Sequence, residues 1–407
     1  RQTKYNIKYK FQYKCYFASP MSSSSSSSSS TLDVVTYNLL SDSLCSPDWF
    51  IECTEEACDS ENRLTLIKAK LEIAIENHAI ICLQELSRHW AGLLYPFFAA
   101  KNYTLIASHY GYAGNGYMGV AIAYPTDHYS LQHSDIQRIG ESVSFPKAPR
   151  HNSRLKSFLV DFVYQKLFIQ YFISFLLFLV GFWPVSLGRY TIDTKIWHWA
   201  YYCPWKSSVR RSNTMVSLGL KSKATDQTLA VSTYHMPCAF KNPDIMIIHA
   251  SLATQHAQYL WKNWFCDALI LTGDWNFIPD SAPYNLITSG SLSPAHPEYP
   301  VDIPNLQNAR EDFTWRLAPL PHGALQSAYA QCDGREPDHT NFALTKRSGG
   351  VRFIETLDYI FVSDNVYVLK TLKTPHRDDL MSDQVPYPSA TEPSDHLMIG
   401  ASFQIKN

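Results

Sequence analysis

Apolar positions along this chain fall into two recurring patterns. Leu32–Leu39 reads as a strand with Asn38 near its end. Arg63–His78 carries Leu64, Ile67, Leu71 and Ile75 at spacings of 3, 4 and 4, the stripe of an amphipathic helix. The short apolar run Ala79–Leu86 ends in Gln84-Glu85, and His89–Lys101 reads as a helix. Tyr103–Ser108 and Gly119–Tyr124 read as strands joined by a turn-rich stretch with Gly111, Gly114 and Gly116. Further on, Met215–Leu220, Thr228–Tyr234 and Ala268–Leu271 are strand-like, and His249–Phe265 is helix-like. Residues 279–340 are rich in Pro, Gly and His and read mainly as loop. Arg352–Val362 and Leu397–Ile405 read as closing strands.

Two stretches break this pattern. Residues 1–31 form a tail: Arg1–Pro20 is basic, aromatic and free of acids, Met21 follows, and Ser22–Ser30 is a low-complexity run expected to be disordered. Met21 is the expected translation start, with a mitochondrial transit peptide as the competing reading. The second break lies at about 151–197, inside a domain that otherwise spans 32–407. Phe158–Leu187 is crowded with Phe, Leu, Ile and Tyr, and Leu167–Gly188 has no charged residue across 22 positions. Its length admits a membrane span; a buried insertion and intron-derived sequence are the other readings. A span would put Glu85 and Asp274 on opposite sides of a bilayer, which favours the intron-derived reading.

Composition sharpens this picture. With 45% hydrophobic, 14% aromatic and 17% charged residues, the 407-residue chain has ample material for a core. A net charge of −1 rules out a strongly basic nucleic-acid coat, so stable binding of duplex DNA is not expected. Nine cysteines without a CxxC pair fit reduced thiols in the cytoplasm, with the nucleus or mitochondrion as alternatives. A monomer is expected, with membrane contact only if 167–188 is a genuine membrane segment.

The chemistry is carried by four short motifs, each at the end or the edge of an apolar run: Leu83-Gln84-Glu85, Thr272-Gly273-Asp274-Trp275-Asn276, Thr356-Leu357-Asp358-Tyr359-Ile360 and Pro393-Ser394-Asp395-His396. A carboxylate beside a buried strand end is costly unless a cation or hydrogen bonds offset it. Magnesium takes hard oxygen ligands and keeps several waters, so one or two carboxylates suffice; Glu85 is the main candidate, with Asn38 adding an amide oxygen or ordering a water. In an extended segment Asp274 and Asn276 would share one face, with Trp275 turned the other way. Asp274 would orient or deprotonate an attacking water, and Asn276 would hydrogen-bond a phosphate oxygen. A buried Asp358 needs a partner, and His396 supplies one, held in its working tautomer. His235, at a strand end, would contact phosphate. Each residue also has a bland reading taken alone: a turn, a cap or a solvated strand end.

These motifs in this order resemble the endonuclease/exonuclease/phosphatase superfamily, the magnesium-dependent fold shared with exonuclease III and deoxyribonuclease I. The resemblance spans about 32–150 and 200–405. It implies an α/β fold, a four-layer α/β/β/α sandwich of two stacked mixed sheets with the active site at one edge. It also implies that Glu85 is the metal-binding Glu, that Asp274 and Asn276 are the Asp and Asn of a Gly-Asp-x-Asn motif, and that Asp358 and His396 form the catalytic pair. Asn38 and Asp395 then fall at further metal-site positions and His235 at the phosphate-contacting one. The cofactor implied is Mg²⁺, with Mn²⁺ as the alternative.

Glu336-Pro337-Asp338-His339-Thr340-Asn341-Phe342 and Leu357-Asp358-Tyr359-Ile360-Phe361 look like signatures of the nocturnin and carbon-catabolite-repressor-type deadenylase branch, whose relatives include the angel proteins and a 2′,5′-phosphodiesterase. By position, Phe353 is a base-stacking residue and Asn341 a pocket residue, the former a stabilising role for an aromatic face. Tyr234-His235-Met236-Pro237-Cys238 and Trp275 depart from that branch's usual residues. The expectation is a Mg²⁺-dependent phosphodiesterase acting on an RNA 3′ end or an adenine-containing oligonucleotide, as a 3′-exoribonuclease or a 2′,5′-phosphodiesterase. A phosphatase, a sphingomyelinase-like enzyme or an inactive scaffold that binds RNA or a partner are the alternatives.

Overall fold

A computed structural model describes residues 31–142, 204–300, 317–380 and 385–406. The tail, its serine run and the hydrophobic stretch at 151–197 lie outside the described residues. Among the described residues no helix is long and apolar enough to cross a membrane.

The strands are, in chain order, β1 (Leu32–Asn38), β2 (Ile80–Leu86), β3 (Tyr103–His109), β4 (Gly119–Pro125), β5 (Tyr129–Arg138), β6 (Thr214–Ser222), β7 (Thr228–His235), β8 (Ala268–Asp274), β9 (Gln326–Ser327), β10 (Asn341–Ala343), β11 (Phe353–Glu355), β12 (Asp358–Val362), β13 (Val366–Thr371) and β14 (Ile399–Ile405). They build two six-stranded sheets, ordered β13-β14-β1-β2-β4-β3 and β5-β6-β7-β8-β12-β9, and a small β10-β11 ribbon. Both large sheets are mixed: β1 runs parallel to β2 and β7 parallel to β8, and the other pairs are antiparallel.

Side-chain alternation explains the stacking. In β1, Val34 faces the other sheet while Val35 and Tyr37 face outward. Between the sheets, Val34, Ile80 and Ile122 of the first meet Val216, Leu218, Val231, Ile270 and Ile360 of the second. The first sheet's outer face is covered by α1 (Ser60–Glu76), through Leu64, Ile67 and Leu71, and by α2 (Arg88–Ala99), through Trp90, Leu94 and Phe98. Asp59 caps α1 by accepting from the Glu61 and Asn62 N–H groups, and Ser87 caps α2 by accepting from the Trp90 N–H. On the second sheet α3 (Pro243–Asn263) lies against β7 and β8. The result is the four-layer α/β/β/α sandwich that the resemblance implies.

Several elements differ from the sequence pattern. The helix expected at His249–Phe265 begins at Pro243, which fits the first turn because its missing N–H has no partner there. The stretch read as loop holds α4 (Ala282–Ser289), β9 and α5 (Ala328–Asp333). Edge strand β5 is largely polar and half exposed, so it carries no apolar alternation to read. The single strand expected over Arg352–Val362 is two, β11 in the ribbon and β12 in the second sheet. The break has a physical cause: Thr340 Oγ1 accepts from both the Leu357 and Asp358 N–H groups, at 2.9 and 3.0 Å, diverting them from any ladder.

Thr340→Val should therefore cost about 2–4 kcal/mol, since it strands two buried N–H groups and a bond to the Asp358 carboxylate; a urea midpoint equal to wild type would contradict this. Gly273 has φ of 150° and lies so near β7 that a Cβ there would sit 1.8 Å from the Tyr234 carbonyl oxygen. Gly273→Ala should cost roughly 2–5 kcal/mol from strain and overpacking, read as a lowered melting temperature in circular dichroism.

Candidate functional site

The ends of β1, β2, β7, β8 and β12 converge at one edge of the sandwich, joined by the loop before β14. The strands from both sheets leave polar residues there because the apolar alternation stops at Asn38, Glu85, His235, Asp274 and Asp358.

Asn38 sits between the two sheets. Its amide nitrogen donates to Asp274 Oδ2 at 2.9 Å and to Glu85 Oε1 at 3.2 Å, and its oxygen accepts from the Leu40 N–H at 2.9 Å. That last bond fixes the amide, so the nitrogen, not the oxygen, faces the carboxylates. Glu85 has a left-handed φ of 52° where β2 slips register against β4, and this bulge turns its carboxylate inward. The Ser41 N–H donates to its Oε2 at 3.2 Å.

Asp274 ends β8. Its Oδ1 accepts from the Asn276 N–H at 2.9 Å, closing a side-chain turn, and Asn276 has φ of 51°. The segment is thus bent, not extended as the alternation argument supposed. Trp275 is buried against Tyr234 and Phe361. The Asn276 amide nitrogen donates to the Met236 carbonyl at 2.9 Å.

Asp358 and His396 meet: Asp358 Oδ2 lies 2.7 Å from His396 Nδ1 and accepts from the Thr340 hydroxyl at 2.6 Å. His396 Nε2 then points on to Asp274 Oδ2 at 3.6 Å. Burial disfavours the imidazolium, but Asp358, Asp274 and Asp395 outweigh it and hold the His396 pKa well above the ordinary range. His235 Nε2 lies 3.5 Å from Asp274 Oδ2 and 3.8 Å from Glu85 Oε1. Its Nδ1 faces the Tyr110 hydroxyl at 2.9 Å, so a hydroxyl donated there leaves Nε2–H directed at the carboxylates.

Asp395 is partly buried, and desolvation raises its pKa. Its Oδ2 accepts from the Asn341 amide at 3.3 Å, whereas Asp395 Oδ1, Asn341 Oδ1 and Asp358 Oδ1 are buried with no hydrogen-bond partner. Phe353 is half-buried beside Phe240, ring centroids 6.4 Å apart, and Phe240 is 50% exposed.

The residues present fit a divalent cation. Two groups of three, Glu85–His235–Asp274 and Asp274–Asp358–His396, each bring possible ligand atoms within 4.8 Å of one another. Hard carboxylate oxygens dominate, and unpartnered buried oxygens such as Asp395 Oδ1 are what a cation or its waters would satisfy. Of the residues expected to hold metal, Glu85 lies in the first group, Asn38 braces it, and Asp395 adjoins it. Sequence reasoning did not single out Tyr110, Thr340 or Phe240. Thr340 stands inside a quoted motif, but a Tyr in a Gly-rich turn and a Phe in a loop give no local signal.

Residues 35–396 match the family model described as Endonuclease/Exonuclease/phosphatase family. Carbon catabolite repressor protein 4 homolog 4 of Arabidopsis thaliana is 33% identical over 142 residues, 34% of this chain and 27% of that protein. The 2′,5′-phosphodiesterase 12 of Mus musculus is 25% identical over 206 residues, 49% of this chain and 30% of that protein. The chain thus matches about a third or less of the length of these curated relatives. Among solved structures, ANGEL2, a 2′,3′-cyclic phosphatase, in complex with adenosine-2′,3′-vanadate superposes with TM-score 0.61 at 18% identity, covering 93% of this chain and 96% of that one. The human nocturnin catalytic domain with bound sulfate gives 0.53 at 17%, covering 92% and 95%. At such identities these two establish the shared fold, while the family match spans most of the chain: it belongs to the endonuclease/exonuclease/phosphatase family, whose members hydrolyse phosphoester bonds.

Proposed function

We propose that this chain is a divalent-metal-dependent phosphodiesterase that shortens RNA from its 3′ end, with Mg²⁺ as the working cation. The single observation that carries this reading is the meeting of Glu85, Asp274, His235, Asp358 and His396 at one sheet edge, with carboxylates from both sheets braced by Asn38. Three things support RNA as the substrate: the Glu336–Phe342 motif, the aromatic pair Phe240–Phe353 and a curated relative named as a probable 3′-5′-exoribonuclease subunit.

Glu85, with Asp395 beside it, would hold the cation. Its chemistry there is polarisation of the scissile phosphate and neutralisation of developing charge. Asp274, fixed by Asn38 and the Asn276 N–H, orients the attacking water and takes its proton. His235 and His396 each present an Nε2 edge beside Asp274, placed to donate to phosphate oxygens as charge builds. Asp358 keeps His396 in the Nδ1–H tautomer and stabilises its charged form. The Asn276 amide has one hydrogen bonded to Met236 and a second for phosphate. Phe353 and Phe240 offer ring faces to a base, and Asn341, through its unpartnered oxygen, a polar contact.

A 2′,5′ linkage is the second substrate reading, favoured by the 206-residue similarity to 2′,5′-phosphodiesterase 12. One assay separates the two. Oligoadenylates labelled at the 5′ end, joined 3′,5′ or 2′,5′, are incubated with Mg²⁺ or with EDTA. The expected outcome is a Mg²⁺-dependent ladder on the 3′,5′ substrate, reduced about 10²-fold or more in Glu85→Ala and in His396→Ala. A ladder on the 2′,5′ substrate alone would move the assignment to that linkage. Cleavage that persists in EDTA and in Glu85→Ala would contradict the mechanism.

A further inference from the structure

Two cations are buried on the inner face of α1, where an amphipathic helix packed on a sheet normally places only apolar groups. Arg63 is 1% exposed and Lys70 2%, and they flank Ile67 on the same face. Burying an ammonium and a guanidinium there is costly without specific partners. Those partners lie on the Glu392–Ser394 loop and on the chain just after β1.

Lys70 Nζ pairs with Glu392 Oε2, and the other oxygen of Glu392 accepts from the Tyr37 hydroxyl at 3.0 Å. Arg63 Nε donates to the Pro393 carbonyl at 2.6 Å. The same guanidinium donates through Nη2 to the Leu39 carbonyl at 2.8 Å and to the Leu40 carbonyl, just beyond the end of β1. Trp90 of α2 lies against it, with the guanidinium carbon 4.9 Å from the ring centroid. Ser394 Oγ then donates to the Asn38 carbonyl at 2.7 Å. Three consecutive residues, Glu392, Pro393 and Ser394, are therefore tied down in turn, and the next two are Asp395 and His396. Arg63 also ties that loop to the chain that follows Asn38.

We infer that Arg63 and Lys70 are positioning residues: from the far side of the first sheet they lock the Glu392–Ser394 segment, and so set where Asp395 and His396 stand relative to Asn38, Glu85 and Asp274. This rests on the active-site reading above and deepens it. A buried helix–loop ion pair that only stabilised the fold could be exchanged for an apolar pair without consequence at the site. A positioning device could not, because displacement of a catalytic group by about 1 Å can cost about 10²-fold in rate.

The test uses the double variant Lys70→Met with Glu392→Gln, which removes both charges together and keeps an acceptor for Tyr37, so it should fold. Ile67→Ala, on the same helix face, is the control for lost packing alone. Three quantities are read: kcat and KM on the oligoadenylate, the Mg²⁺ concentration that half-saturates the rate, and amide hydrogen exchange over residues 393–398 in the metal-free protein. The expected result for the double variant is a fall in kcat of about tenfold or more, at the lower end of what displacement costs, with KM nearly unchanged. A raised Mg²⁺ half-saturation and faster exchange confined to 393–398 should accompany it. Ile67→Ala should lower the melting temperature and leave kcat and that exchange near wild type. A folded double variant with wild-type kcat, Mg²⁺ dependence and exchange would overturn the inference, as would equal effects in Ile67→Ala. If wild type cleaves no oligoadenylate, the proposed activity fails, and the exchange comparison alone still upholds or overturns the clamp.

Discussion

The structure hinges on an amide placed between two carboxylates that come from different sheets. Glu85 and Asp274 would repel one another and sit exposed to that repulsion in a poorly solvated edge. Asn38 donates to both, at 3.2 and 2.9 Å, so one side chain of β1 sets the separation of the two sheets where it matters. One residue before Glu85 the same device recurs: the Gln84 amide donates to Thr36 of its own sheet at 2.9 Å and to Thr233 of the other at 2.8 Å. Below these amides the interface is apolar, Val34, Cys82, Val231 and Ile270 among others. Above them it is charged. The sandwich core is therefore sealed by hydrogen bonds just beneath the place where chemistry needs charge.

That seal explains why the functional residues sit where strands end. A carboxylate one or two residues deeper would face the sandwich core, with no water and no room for a cation. One or two residues further out it would be held only by a loop. Glu85 uses a bulge, Asp274 a side-chain turn with Asn276, and Asp358 a hydroxyl from Thr340, three different local solutions to aiming an acid from a strand end. His396 completes the set from a loop, and the acids around it favour its charged form.

Much of this was legible in the sequence because it was written in short, local patterns. The spacing of Leu64, Ile67 and Leu71 marks α1, and four polar motifs beside apolar runs mark the site. The pairing of Asp358 with His396 follows from the need of a buried acid for a partner. What stayed hidden is non-local. No pattern shows that Thr340 would take two backbone N–H groups and split an apolar run into two strands. The Asp274–Asn276 segment looked extended because only the structure shows the left-handed turn at Asn276. Edge strand β5 was missed since an exposed, polar strand has no alternation to detect. The helix stripe also gives no sign that Arg63 and Lys70 are buried and reach a distant loop.

The claim on which the rest depends is that this cluster of acids and imidazoles is built around a divalent cation. Its most direct test is the unfolding midpoint of the purified protein as a function of free Mg²⁺ or Mn²⁺, with no substrate present. A ligand that binds only the folded state raises stability by about 2.7 kcal/mol at a concentration 100 times its dissociation constant. The account predicts a saturable rise in the midpoint with either ion, abolished in Glu85→Gln. A midpoint independent of both ions, or a rise of equal size in Glu85→Gln, would contradict it.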